Sequence, residues 1–148
     1  MDVPWSGIER RLERLDDCIN KLVALGERGR SEFDADPLLR DVAERNFEVA
    51  AQCVIDIAMR IISLEEAPRT SDGAEAIRRL AELNVLTVEF ARGLAPISGF
   101  RNILVHEYCD INWDLVHQQF SNLSQLRHFS GRVRAWLAQQ LTTPPAGS

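Results

Sequence analysis

A chain of 148 residues with 45% hydrophobic and 26% charged side chains has the make-up of one globular domain, not of a disordered or fibrous protein. Its formal net charge of −5 argues against broad, charge-driven nucleic-acid binding but leaves room for a local basic cleft. The opening "MDVPWSGIER" lacks the regions of a signal peptide, and no apolar run approaches the roughly 20 residues that span a bilayer, so a cytoplasmic protein with no membrane partner is expected.

Ile8, Leu12, Leu15, Ile19 and Leu22 recur at helical steps, the stripe of a first amphipathic helix that Gly26 and Gly29 close. "RSEFDAD" then reads as a loop, and Asp36-Pro37 as an N-cap with proline at the first helical position. A long helix over 37–66 follows, with Leu39, Val42, Phe47, Ala50, Val54, Ile57, Ile61 and Ile62 among its apolar members. At 1.5 Å per residue it spans about 45 Å and can serve as the spine of a bundle. Pro68 is expected to end it. Ser71 or Asp72 caps a short helix over 74–83, with Asn84 as its left-handed terminator. Thr87 caps the next helix, which Pro96 kinks or interrupts on its way into "RNILVHEY". There Ile103, Leu104 and Val105 are expected to bury beside Phe100 and Ile97.

Asn112 caps a last helix over 113–141, whose buried face is Leu115, Val116, Phe120, Leu123, Leu126, Val133, Trp136 and Leu137. "TTPPAGS", 142–148, reads as a disordered tail. Strand signals are nearly absent. The predicted fold class is therefore all-α, a single-domain bundle of about five helices over 1–141.

Cys18, Cys53 and Cys109 are odd in number, far apart and in no C-x-x-C pair, which fits small buried hydrophobes better than a disulfide or a metal centre. His117 and His128 can share a helix face, but no acidic or thiolate ligand stands at a matching position, so no metal site is expected. Arg10, Arg11, Arg14 and Lys21, like Arg127, Arg132 and Arg134, read as solvated helix faces.

The chemistry concentrates between Arg101 and Tyr108. On a helix, Asn102 and His106 lie one turn apart on nearly the same face, whereas Arg101 and His106 are separated by about 140° and about 7.5 Å of rise. One straight helix keeps their tips apart. They converge if the helix ends near Val105, or if two copies of the motif meet across a dimer. The set suits phosphodiester cleavage: histidine can take the proton of a ribose 2′-OH or protonate the leaving 5′-oxygen. The guanidinium fork of Arg101 matches a phosphate and its transition-state charge. Asn102 can orient the histidine or bond the phosphate, and Tyr108 can position a base. Carboxylate pairs of the kind that bind magnesium and glycine-rich phosphate loops are missing. If the set is a nuclease, neither metal nor other cofactor is expected, and the substrate should be RNA, whose 2′-OH supplies the nucleophile. Against this stands the bland reading, a packed and hydrogen-bonded histidine beside an aliphatic run. Asp56, inside "CVIDIAM", has two readings as well: a helix-face pair with Arg60, or a group that orients Arg101 or His106 across the bundle.

"GFRNILVHEYCDIN", Gly99 to Asn112, resembles the signature of the HEPN superfamily (higher eukaryote and prokaryote nucleotide-binding), and most of all its HepT-like branch. The branch motif is Arg, four residues, His, one residue, Tyr, here Arg101, His106 and Tyr108, with Asn102 directly after the arginine. "RNFEVAAQCVIDIAMRII", Arg45 to Ile62, is similar to the branch's long second helix, and "LAELNVLTVEFARGLAPISGFRN" also fits. The resemblance runs from about Arg11 to Leu137. It implies a homodimer whose two motifs face each other across a cleft, and a ribonuclease toxin paired with a minimal nucleotidyltransferase antitoxin. It also implies that the antitoxin silences the toxin by AMPylation of the motif tyrosine, here Tyr108. Asn84 departs from the glycine the branch often has, and Pro96 interrupts the approach to the motif. The alternative is a non-catalytic module that presents a nucleotide or substrate to a nucleotidyltransferase, with Arg101 and His106 only gripping phosphate. A purely structural dimer, in which both are replaceable, is the third reading.

Overall fold

The structure, a computed structural model, describes residues 5–142, and all their regular elements are helices. In chain order these are α1 (Ser6–Gly26), α2 (Gly29–Ala35), α3 (Pro37–Leu64), α4 (Gly73–Arg79), α5 (Val88–Leu94), α6 (Ile97–His106), α7 (Trp113–Gln118), a 3-10 turn (Gln119–Asn122) and α8 (Leu123–Thr142). The chain is all-α, as its periodicity predicts. Among the described residues no helix is long and apolar enough to cross a membrane. Of the expected tail, Thr142 still belongs to α8, and 143–148 lie outside the described residues.

α3 is the spine. Asp36 holds extended backbone (φ −116°, ψ 105°) and its carboxylate accepts the Leu38 N–H at 2.9 Å, while Pro37 takes the first position, where its missing N–H costs no hydrogen bond. The α1 stripe of Ile8, Leu12, Leu15, Ile19 and Leu22 is fully buried against α3, and α8 closes the other side of α1. Burial of each such side chain contributes about 1.5–3 kcal/mol. Along α3, Val54, Ile57, Ala58 and Ile61 face this layer. Val42 turns outward, because Ala43 and Asn46 take the inward positions of that stretch.

The structure corrects several local expectations, among them that Cys109 is exposed, not buried, and that α4 ends at Arg79, not at 83. "RSEFDAD" is helix α2, not a loop: Gly29 at φ 84° starts a new turn, and Phe33 is buried edge-on against Phe120 at 5.9 Å and Trp113 at 6.1 Å. α3 stops at Leu64, before Pro68, because Glu66 adopts φ 54° and the N–H groups of Ala67 and Glu66 return to the carbonyls of Ile62 (3.0 Å) and Ser63 (3.2 Å), a Schellman closure. The expected last helix is divided into α7, the 3-10 turn and α8. That break sets Phe120 between Phe33 and Phe47, the latter at 5.1 Å, and Gly26 leaves room for its ring. Leu115 and Phe120 are half-buried, and fully buried Phe129 completes the inner face of α8. Of the apolar residues of the motif helix only Phe100 and Leu104 are buried. Ile97, Ile103 and Val105 remain half-exposed.

Candidate active site

The site begins with how α6 is placed. Thr87 Oγ1 accepts the Phe90 N–H at 3.1 Å and starts α5, which ends at Leu94. Pro96 then opens α6 at its N-cap, so the proline divides two helices as expected and forfeits no helical hydrogen bond. Phe100 meets the edge of Phe47 at 5.8 Å, fixing α6 on the spine. Gly73, first residue of α4, sits where a Cβ would lie 2.6 Å from Ser98 Oγ and 3.2 Å from Ile55, so α3, α4 and α6 meet there without room for a methyl group.

Between these helices lies a cleft of about 530 Å³ lined by Gln52, Asp56, Asp72, Ser98, Arg101 and Asn102, among others. Arg101 is half-buried, and among the described residues its Nε is the one buried side-chain polar atom without a hydrogen-bond partner. Leaving a buried donor unpaired costs about 1–3 kcal/mol, and more when the group is charged. An anion in the cleft would satisfy it. Asn102 is exposed at the same opening.

α6 ends at His106, close to the point where a helix end lets arginine and histidine converge. Glu107 closes the helix with its N–H on Ile103 O at 2.9 Å, and residues 106–110 are all exposed. Tyr108, the chain's single tyrosine, is 70% exposed in this turn. Asn112 restarts the chain by accepting the N–H groups of Asp114 (3.0 Å) and Leu115 (3.2 Å). One chain thus gathers Arg101, Asn102 and Asp56 at the cleft, and leaves His106 and Tyr108 beyond it, on the open end of the helix.

Asp56 takes neither partner weighed for it. Its carboxylate accepts from Gln52 Nε2 at 2.8 Å and lies 3.9 Å from Arg11 Nε, a residue of α1, rather than pairing with Arg60 or Arg101. Burial pushes the neighbouring Cys53 thiol up to about 11, with smaller contributions from Cys18 and Asp56, so it stays an uncharged core group. Among the described residues no group of three or more His, Cys, Asp or Glu side chains is gathered as for a metal ion. Arg60 and Arg69 were not among the sequence candidates. They line a second cavity with Arg11, next to the first. Their only sequence signal is that both are arginines, which carries nothing until the fold brings them together.

The sequence profile of the HepT-like ribonucleases matches residues 8–133. The chain belongs to the HepT-like family. It is 38% identical over 80 residues to a tRNA nuclease HepT of Aphanizomenon flos-aquae, a match that spans 54% of each protein. It is 28% identical over 119 residues to an mRNA nuclease HepT of Shewanella oneidensis, covering 80% of this chain and 89% of that one. Its fold superposes with a TM-score of 0.79 on a tri-AMPylated Shewanella oneidensis HEPN toxin solved in complex with its MNT antitoxin, at 25% identity over 91% of this chain and 99% of the toxin.

Proposed function

We propose that this chain is an endoribonuclease toxin of the cytoplasm, acting as a homodimer in which Arg101 and His106 of two copies form one composite site. The orphaned Nε of Arg101, a residue that lines the cleft one and a half turns before His106, carries the reading. Arg101 binds the non-bridging oxygens of the scissile phosphate, and Asn102 supports it from the same opening. His106 removes the 2′-OH proton as the 2′-oxygen attacks phosphorus. The bond to the 5′-oxygen breaks, a proton from histidine completes the leaving hydroxyl, and the fragments carry a 2′,3′-cyclic phosphate and a 5′-OH. The reaction needs no redox partner, and the residues proposed for it need no metal.

The Shewanella relatives and the antitoxin complex support a nucleotidyltransferase antitoxin as partner. Tyr108 is the acceptor proposed for AMP, because its hydroxyl is exposed and stands two residues from His106, where an added phosphate would occupy the substrate's place. The test is cleavage of mixed RNAs in EDTA by wild type, Arg101→Ala and His106→Ala. Cutting by wild type alone is expected. Uncut RNA with a folded dimer, but retained nucleotide binding, would favour the non-catalytic presenting module instead.

A further inference from the structure

Beside the Arg101 cleft lies a second cavity, of about 410 Å³, whose lining includes Arg11, Asp56, Met59, Arg60, Arg69 and Thr70. Asp56 and Met59 belong to both cavities, so the two form one groove across the exposed side of α3. Three arginines reach it from three elements. Arg11 comes from α1, Arg60 lies one turn after Asp56 on α3, and Arg69 comes from the segment that the Schellman closure at Glu66 folds back over the end of α3. Among the described residues Arg60 and Arg69 have no hydrogen bond or ion pair, and Arg11 has only the Gly7 carbonyl at 3.0 Å and the distant Asp56 carboxylate at 3.9 Å.

A protein with 22 acidic residues against 17 basic ones has carboxylates enough to neutralise such a cluster. It neutralises others: Arg78 and Arg79 share Glu75, and Arg134 takes Asp16. Unpaired like charges in a concave site repel one another, focus the local field and favour an anion. We infer that Arg11, Arg60 and Arg69 form a second phosphate subsite, which holds the backbone of single-stranded RNA next to the scissile position. This inference rests on the ribonuclease reading. Asp56 divides the groove. Its carboxylate repels phosphate, so successive phosphates settle on either side of it, one at Arg101 and the other among the three arginines. Half-buried Met59 supplies an apolar floor for the intervening ribose.

The test pairs substrates and variants. Arg60 and Arg69 are exposed, so Arg60→Ala/Arg69→Ala folds, which a thermal melt verifies. For a mixed-sequence oligoribonucleotide the double variant should raise KM about tenfold or more, the worth of lost charge-assisted contacts, with a smaller effect on kcat. A dinucleoside monophosphate, too short to reach the subsite, should suffer a smaller loss. In a His106→Ala background, binding of the same oligonucleotide should lose about 0.7 from its log–log salt slope, the value for one phosphate on a single strand. Arg60→Lys/Arg69→Lys should recover that slope. An unchanged KM and salt slope in the alanine variant overturns the subsite. So does loss of AMP binding alone, which would assign the cavity to a free nucleotide. A wild type that cuts nothing yet binds RNA with the predicted slope change sinks the ribonuclease reading and leaves the subsite standing. Failure to bind RNA at all sinks both.

Discussion

The half of α6 that starts at Ile97 and the half that ends at His106 meet different demands. In the first, Ser98 and Phe100 are 7% and 6% exposed, pressed against α4 and α3, and Leu104 continues that inner line. In the second, every residue from His106 to Asp110 is exposed, and the turn is held by backbone hydrogen bonds and the Asn112 cap instead of packing. The buried half fixes where the helix points, and the exposed half carries the residues proposed for the chemistry. Arg101 lies at the border, with its stem packed and its Nε unpaired. Stability and activity are therefore separable by residue.

The sharpest break of that comparison is His106→Ala. Cleavage should fall by about 10²–10⁴-fold, the usual contribution of a general acid–base group, while stability stays within about 0.5 kcal/mol of wild type. A melt that collapses along with the activity would make His106 structural. On the buried side, Phe129→Ala should cost about 3–5 kcal/mol in denaturant titration, since that ring is fully buried, yet leave the turnover of the folded fraction intact. Equal losses in both quantities would show that the core and the site are not independent.

Gly73→Ala probes the joint between the halves. The added methyl would meet Ser98 Oγ and Ile55, so a loss of about 1–3 kcal/mol is expected from overpacking, together with reduced cleavage as α6 is pushed from the spine. A variant as stable and active as wild type would mean that α4 yields freely there. Arg101→Met should move stability in the opposite direction. It removes an unpaired buried N–H and keeps the apolar stem, so the protein should hold its stability or gain about 0.5–2 kcal/mol while cleavage is lost. Marked destabilisation would show that the guanidinium is paired in solution.

Much of this was legible in the chain. Caps at Asp36, Asp72, Thr87 and Asn112 depend on one side chain accepting from an N–H two or three residues away, and each is found in place. Asn84 at φ 62° and the interruption at Pro96 are equally local. What escaped depends on distant partners. "RSEFDAD" holds a single large apolar residue, too little for periodicity, and it becomes helical because Phe33 finds Phe120, Trp113 and His117. The break before α8 follows from the same aromatic cluster.

The site divides along the same line. Sequence spacing by itself determined the fold class and the helix that carries Arg101 and His106, because hydrophobic period, caps and proline act within a few residues. Only the tertiary structure decided that Asp56 answers to Gln52 and Arg11, that Arg101 keeps an unpaired Nε, and that Arg60 and Arg69 share a groove with the cleft. Those are facts about which surfaces of separate helices meet. Helix packing sets them through ridges, volumes and the absence of a methyl group at Gly73, none of which leaves a periodic signature in the chain.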